Sequence, residues 1–180
     1  MQQFKNTKEV DHRQRAIEVR SPRVKDAAEI WRLVSDCGVL DVNSPYAYLL
    51  ICRDFSATSL VATMAGRLVG FVAAYIPPRR PDVIFVWQIG VSPTARGQGL
   101  ARSLLVELLA LPACRDVTFL EATVTPSNTA SRRLFESLAR TFGGELYLGP
   151  GFSTDDLGTA RHEPENTVRI SLIGSRHEDL

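Results

Sequence analysis

The stretch that most constrains this chain runs from Val86 to Ala101, Val-Trp-Gln-Ile-Gly-Val-Ser-Pro-Thr-Ala-Arg-Gly-Gln-Gly-Leu-Ala. An apolar run ends at Pro93, a loop with Gly97 and Gly99 follows, and an amphipathic segment from Leu100 to Leu111 begins at once. That order reads as strand, tight loop and helix. A helix that opens straight from a glycine loop presents N–H groups with no intrahelical partner, at the positive end of its dipole. Such a place accepts an anion, and Arg96 adds a full positive charge at the loop's edge. The expectation is a pyrophosphate cradle. It is not a P-loop, because no Lys-Ser/Thr follows Gly99. Nor is it the dinucleotide fingerprint: the place of the third small residue is held by Arg102. Glu121, about 20 residues on, lacks the βαβ context.

Arg96-Gly97-Gln98-Gly99-Leu100-Ala101 resembles Gln/Arg-x-x-Gly-x-Gly/Ala, the acyl-CoA pyrophosphate motif of the Gcn5-related N-acetyltransferases (GNAT). The preceding Val91-Ser92-Pro93 is similar to that family's strand exit. The resemblance implies that Arg96, Gly97, Gln98, Gly99, Leu100 and Ala101 contact acetyl-CoA.

The totals agree with one compact domain. The chain has 180 residues, 44% hydrophobic and 23% charged, with a net charge of +1. That balance gives no reason to expect a nucleic-acid or membrane surface. The pairs Arg79-Arg80 and Arg132-Arg133 read as solvated faces. No apolar run approaches the roughly 20 residues of a membrane span, and Met1 to Arg15 lack the apolar centre of a signal peptide. Cys37, Cys52 and Cys114 are odd in number and have no metal or redox spacing. The expectation is buried, reduced thiols in a cytoplasmic protein without a metal.

Taken in order, residues 1–16 read as a flexible tail, 17–173 as one domain and 174–180 as a second tail. Ile17 to Arg20 is a short strand. Ala27, Ile30, Trp31 and Val34 recur at helical spacing, with Asp26 as cap, Gly38 as stop and Trp31 in the core stripe. Ser44-Pro45 opens a second helix, with an acceptor at the cap and Pro at the first position. Ser59 to Met64 and Arg67 to Ile76 form a hairpin about Ala65-Gly66. Val83 to Val91 continues the sheet. After the helix from Gly99, Val117 to Val124 is a strand and Ser127 caps a helix carrying Ala130, Leu134 and Leu138. Glu145 to Leu148 is a strand, Gly149 to Glu165 a long irregular loop, and Val168, Ile170 and Leu172 alternate as in an edge or hairpin strand. This is an α+β order. The family resemblance makes it a GNAT fold: a mixed, mostly antiparallel sheet flanked by helices, with two strands splayed at the acetyl-CoA site.

The resemblance also furnishes the rest of the site. The splayed pair is Val83 to Val91 and Val117 to Val124. A bulge at the end of the first frees backbone groups near Ile89 and Val91 for pantetheine amides. Asn128, Ser131, Leu134 and Phe135 resemble the family's Asn-x-x-Ala-x-x-Leu-Tyr pattern. They imply cofactor contacts at Asn128 and Ser131, the bland alternative for Asn128 being a helix-start residue. Phe135 departs from the pattern. It stands where many members carry a tyrosine that protonates the leaving thiolate, and Phe has no proton to give.

Asp41-Val42-Asn43-Ser44-Pro45-Tyr46, Trp87-Gln88-Ile89-Gly90-Val91 and His162-Glu163-Pro164-Glu165 narrow the resemblance. All three are similar to segments of the GNAT branch that acetylates L-2,4-diaminobutyrate at N4 in ectoine biosynthesis. The implied substrate-side residues are Asp41, Tyr46, Trp87, Gln88, His162 and Glu165, with Asp41 or Glu165 taking the proton. A homodimer is implied by the family alone. Three alternatives stay open: a GNAT enzyme for another amine or a protein N-terminus, a non-catalytic acyl-CoA-binding module, and a structural protein with an incidental glycine loop.

Overall fold

A computed structural model describes residues 16–38, 40–158 and 162–172. The tails expected over 1–16 and 174–180 lie, except for Ala16, outside the described residues, as does the domain's expected last residue, Ile173. The elements are β1 (Ile17–Arg20), α1 (Ala27–Cys37), α2 (Pro45–Asp54), β2 (Leu60–Met64), β3 (Arg67–Tyr75) and β4 (Val83–Val91). They continue with α3 (Leu100–Leu109), β5 (Phe119–Val124), α4 (Thr129–Phe142), β6 (Leu146–Phe152) and β7 (Glu165–Ser171).

The strands form one sheet in the order β1-β2-β3-β4-β5-β7-β6. Every neighbouring pair is antiparallel except β4 with β5, which is parallel. Local chemistry explains the joints. Ala65 (φ 51°) and Gly66 (φ 74°) are both left-handed, the requirement of a two-residue type I′ hairpin. Gly38 ends α1 at φ 67°. Ser44 caps α2 by accepting from the Ala47 N–H, ahead of Pro45.

Helices cover both faces. On one side α3 and α4 bury Leu104, Leu105, Leu108 and Leu138 against Ile84, Val86, Leu120 and Ile170. On the other, α1 and α2 bury Ile30, Val34, Tyr48 and Ile51 against Val61, Phe71 and Ala73. Trp31 packs at the margin of this second core, as its helical stripe predicts. Each such side chain, taken fully from water, contributes about 1.5–3 kcal/mol.

Two departures from regularity position the site. β4 and β5 pair only from Val83↔Phe119 to Val86↔Ala122, and beyond that point the strands part. In the β3–β4 ladder Ala74 faces Val86 but Ala73 faces Gln88, so Trp87 is an extra, bulged residue. The sequence put the bulge at the Ile89–Val91 end; it lies upstream. Its effect is a change of parity. Ile84 and Val86 face the α3/α4 core, and after the bulge so do Ile89 and Val91. Gln88 and Gly90 turn instead toward α1 and α2: Gln88 bonds Tyr48, and a Cβ at Gly90 would meet Phe71 and Leu33.

Other expectations need correction. Asn128, not Ser127, caps α4, accepting from the Ser131 N–H at 3.0 Å. Asp26 precedes α1 without capping it; its carboxylate takes both ends of the Arg20 guanidinium, at 2.6 and 2.9 Å, and the Arg23 N–H. β6 runs on to Phe152 through Gly149-Pro150-Gly151, which an edge strand tolerates. Of the two readings for β7 the hairpin is the right one: it pairs antiparallel with β6, and it lies between β5 and β6, not at the edge. Arg80 does not face solvent freely: it and Arg169 pair with the buried Glu121 on β5.

Candidate functional site

The gap between the parted strands opens into two cavities. The larger, about 590 Å³, is lined by Cys37, Gly90, Val91, Arg96, Ala101 and the start of α4 from Ser127 to Leu134. The smaller, about 270 Å³, is lined by Asp41, Asn43, Trp87, Gln88, Thr123, Phe135 and Glu165 among others. Leu40, Ile89, Thr125, Asn128 and Ser131 line both, so the cavities meet at a common wall.

The backbone of β4 is prepared for a partner in the gap. Ser92 N–H donates to Val69 C=O on β3 at 2.8 Å. Antiparallel ladders alternate, so Gly90 also addresses β3 while Ile89 and Val91 direct their amides to the open side. The Val91 carbonyl is already taken. It accepts from Arg96 Nε at 3.2 Å and lies 3.5 Å from Cys37 Sγ, while Arg96 Nη2 donates to Cys37 C=O at 3.2 Å. Arg96 therefore ties the end of β4 to the end of α1, more than a cation standing clear at the loop.

Gly97 and Gly99 have φ of 74° and 77°, a region that side chains disfavour, and an added Cβ would meet nothing within 4 Å at either. Gly99 is the N-cap of α3 and offers no side-chain acceptor, so the first N–H groups of the helix have no side-chain cap. A pyrophosphate fits this loop on two counts: open space beside the glycines and uncapped amides. Leu100 can contribute only its backbone, because its side chain is buried among the α3 core residues; Ala101 lines the larger cavity and Gln98 is exposed.

On the substrate side the loops converge. His162 Nε2 lies 3.0 Å from Asp41 Oδ2, and His162 Nδ1 lies 2.7 Å from the Glu163 carbonyl. Both positions call for an N–H, which only the imidazolium supplies. The Asp41 hydrogen bond, foremost, and the Glu163 carbonyl raise the His162 pKa above 6.5, and the Glu165 charge adds to this. Glu163 Oε2 accepts from Ser127 N–H at 3.1 Å, so the loop before β7 is fastened to the turn before α4. Glu165, the first residue of β7, reaches the smaller cavity without that tie.

Of the sequence-derived residues, Asp41, Trp87, Gln88 and Glu165 share the smaller cavity. His162 meets it through Asp41. Tyr46 is 63% exposed at the start of α2 and lines neither cavity. The tyrosine that reaches inward is Tyr48, fully buried, whose hydroxyl donates to Gln88 Oε1 at 3.0 Å. Helical spacing with Ile51 and Cys52 marks Tyr48 as inward-facing, but nothing local marks its partner on β4. Asn43 and Thr123 also line the cavity without having been singled out. Phe135 is 2% exposed and closes the cavity from α4 with a ring that carries no proton donor. Among the described residues no cluster of three His, Cys, Asp or Glu side chains is placed to hold a metal, and no helix is long and apolar enough to cross a membrane.

This fold and paired-cavity site define an acyl-CoA-dependent N-acyltransferase, and residues 27–139 match the acetyltransferase (GNAT) family: the chain belongs to it. Within that family it is 49% identical, over 87% of this chain and 82% of the relative, to the L-2,4-diaminobutyric acid acetyltransferase of Halalkalibacterium halodurans. It is 48% identical to the one from Nocardia farcinica, over 86% and 80%. Among solved structures, the Paenibacillus lautus diaminobutyrate acetyltransferase, in complex with L-2,4-diaminobutyric acid and coenzyme A, superposes with a TM-score of 0.83. It is 37% identical and covers 87% of this chain and 95% of its own. The ribosomal-protein-S18-alanine N-acetyltransferase of Escherichia coli, 21% identical with a TM-score of 0.62, shares the fold.

Proposed function

We propose that the protein transfers the acetyl group of acetyl-CoA to the γ-amine of L-2,4-diaminobutyrate, giving N4-acetyl-L-2,4-diaminobutyrate and CoA for ectoine synthesis. The observation that carries this is the smaller cavity, with Asp41 and Glu165 on its wall together with Trp87, the bulged residue of β4. A short diamine needs acidic partners for its ammonium groups and an apolar surface for its chain, and Trp87 adds a cation–π contact. The likeness to named diaminobutyrate acetyltransferases supports the same substrate.

The amine must lose a proton before it attacks, because ammonium has no lone pair. A free alkylammonium of this kind has a pKa of about 10.4. The second ammonium and partial desolvation lower it. Asp41 or Glu165, directly or through water, takes the proton. The nitrogen lone pair forms a bond to the thioester carbon, an Ile89 or Val91 N–H stabilises the oxyanion, the nitrogen, now cationic, gives its second proton to water, and the oxyanion collapses to the amide carbonyl as the C–S bond breaks. The sulfur departs as thiolate; a thiol pKa of about 8.5 makes this a tolerable leaving group without a donor at Phe135. Arg96, the amides from Gly97 to Ala101, and Asn128 and Ser131 hold the CoA portion.

Because the cavities meet at one wall, transfer is direct, with both substrates bound. Initial-rate data then give intersecting double-reciprocal lines, and mass spectrometry places the acetyl group on N4. Acetyl-CoA binding with no turnover on any amine overturns the enzyme assignment, and preference for a different amine overturns the substrate. We further read residues 17–173 as one catalytic domain acting in the cytoplasm as a homodimer; light scattering at twice the chain mass tests the last point.

A further inference from the structure

We propose that Tyr48 and Gln88 form a positioning pair that sets Asp41 against Trp87 and thereby tunes the site for its amine, a role that rests on Asp41 being an ammonium partner. The Asp41 side chain is 80% exposed and meets the rest of the protein through His162. Its backbone is held separately. Gln88 Nε2 donates to the Asp41 carbonyl at 2.9 Å, reinforced by Asn43 Nδ2 at 3.4 Å. A carbonyl can only accept, so the Gln88 amide must turn its NH₂ toward Asp41. Its Oε1 then faces Tyr48, whose hydroxyl must donate. Only one orientation of the amide satisfies both ends.

Both members are buried, at 9% for Gln88 and 0% for Tyr48, where water cannot stand in for a lost partner. The bulge at Trp87 makes the pair: in a regular strand of the same sequence Gln88 would share the face of Val86, toward α3 and α4. Tyr48 also packs its ring on Trp87, centroids 6.2 Å apart, and edge-on to Phe71 at 6.5 Å. One buried side chain thus touches the tryptophan wall of the cavity and, through Gln88, fixes the loop that carries the carboxylate. Gln88 engages both ends of its amide in this, one N–H and one lone pair.

Tyr48→Phe keeps the ring and its packing and removes only the hydroxyl. The expected result is a rise of about fivefold in KM for diaminobutyrate, the size of one hydrogen bond, with KM for acetyl-CoA within about twofold of wild type. Amide exchange at Asp41–Asn43 accelerates while exchange within α2 does not. In an Asp41→Ala background the same change adds no further rise in amine KM. Gln88→Met, similar in length and without either polar end, serves as the second variant with the same expected pattern. An equal rise in both KM values, an undiminished effect without Asp41, or unchanged exchange at Asp41–Asn43 overturns the proposal. Failure of Asp41→Ala to alter amine KM instead removes Asp41 from the reaction, and the exchange measurement still decides whether the pair positions the loop.

Discussion

His162 sits between two acceptors, Asp41 Oδ2 and the Glu163 carbonyl, and both are best met by the charged ring. Its folded pKa is raised, so the stabilisation this contact gives the loop is complete below the unfolded value near 6.5. It is lost as pH rises through the higher folded value. An NMR titration of the His162 ring should show the raised pKa, and Asp41→Asn should bring it down. A wild-type value at or below 6.5 would remove the pair. Above the transition Asp41 loses its imidazolium and is open to a substrate ammonium. At the same scale, Asp41→Ala and Glu165→Ala should each raise KM for diaminobutyrate by about tenfold or more, the range of a lost charge-assisted hydrogen bond, with little change for acetyl-CoA. Collapse of acetyl-CoA binding would show these carboxylates to serve the fold. Asp41 and Glu165 were readable in the sequence only through resemblance. Tyr48 and Arg96 illustrate why: each is defined by a partner 40 or more residues away on another element.

At the scale of elements, the β4–loop–α3 unit was legible because its signals are local: an apolar run, a proline, two glycines and an amphipathic helix. Gly99 holds a left-handed φ at the helix cap. Gly99→Val forces a branched residue into that region, at a cost of about 1–3 kcal/mol, and tilts the amides of the cradle. Calorimetry should find acetyl-CoA affinity reduced at least about tenfold; unchanged affinity dissociates the loop from the cofactor. The first helix is fixed from outside by Arg20 and Asp26. The guanidinium, first, and the Arg23 N–H hold the Asp26 carboxyl below its ordinary pKa, against the opposing effect of burial. That stabilisation is present above the unfolded carboxyl pKa and is lost as pH falls through the lower folded one. Asp26→Asn should lower unfolding free energy by about 2 kcal/mol at neutral pH in urea melts, with the difference shrinking in acid. The turn residues Gly149-Pro150-Gly151 make β6 look shorter in the sequence than the strand Leu146–Phe152 is. Yet Gly151 lies so near Glu165 C=O that a Cβ there would clash with it, so glycine suits the close pairing rather than marking its end.

At the scale of the whole molecule, charge pattern tells only part of what an exposed arginine does. Arg79-Arg80 has the look of a solvated pair, yet Arg80 crosses to Glu121 in the middle of the sheet, where Arg169 meets the same carboxylate and lies 3.9 Å over Phe119. Breaking that cluster by Glu121→Ala should destabilise the fold by about 1.5–3 kcal/mol, checked by denaturant melts, because the buried carboxylate's bonds are lost while both arginines keep access to water. Cys52 is sealed away as well, its thiol pushed up to about 11 by burial. The added Trp87 in β4 has a different sort of consequence. It acts as a frameshift in a two-letter code of inside and outside, so that one strand is written in one frame up to Val86 and in the other from Gln88. Removing Trp87 itself would leave Gln88 and Ile89 on their present faces, whereas a residue lost beyond them, such as Gly90, could be absorbed only by ironing out the bulge, which sends a glutamine amide where an isoleucine belongs. It follows that length beyond the bulge constrains this strand as strictly as composition does: a residue can be spared at Trp87 without moving its neighbours to the other face, and not further along.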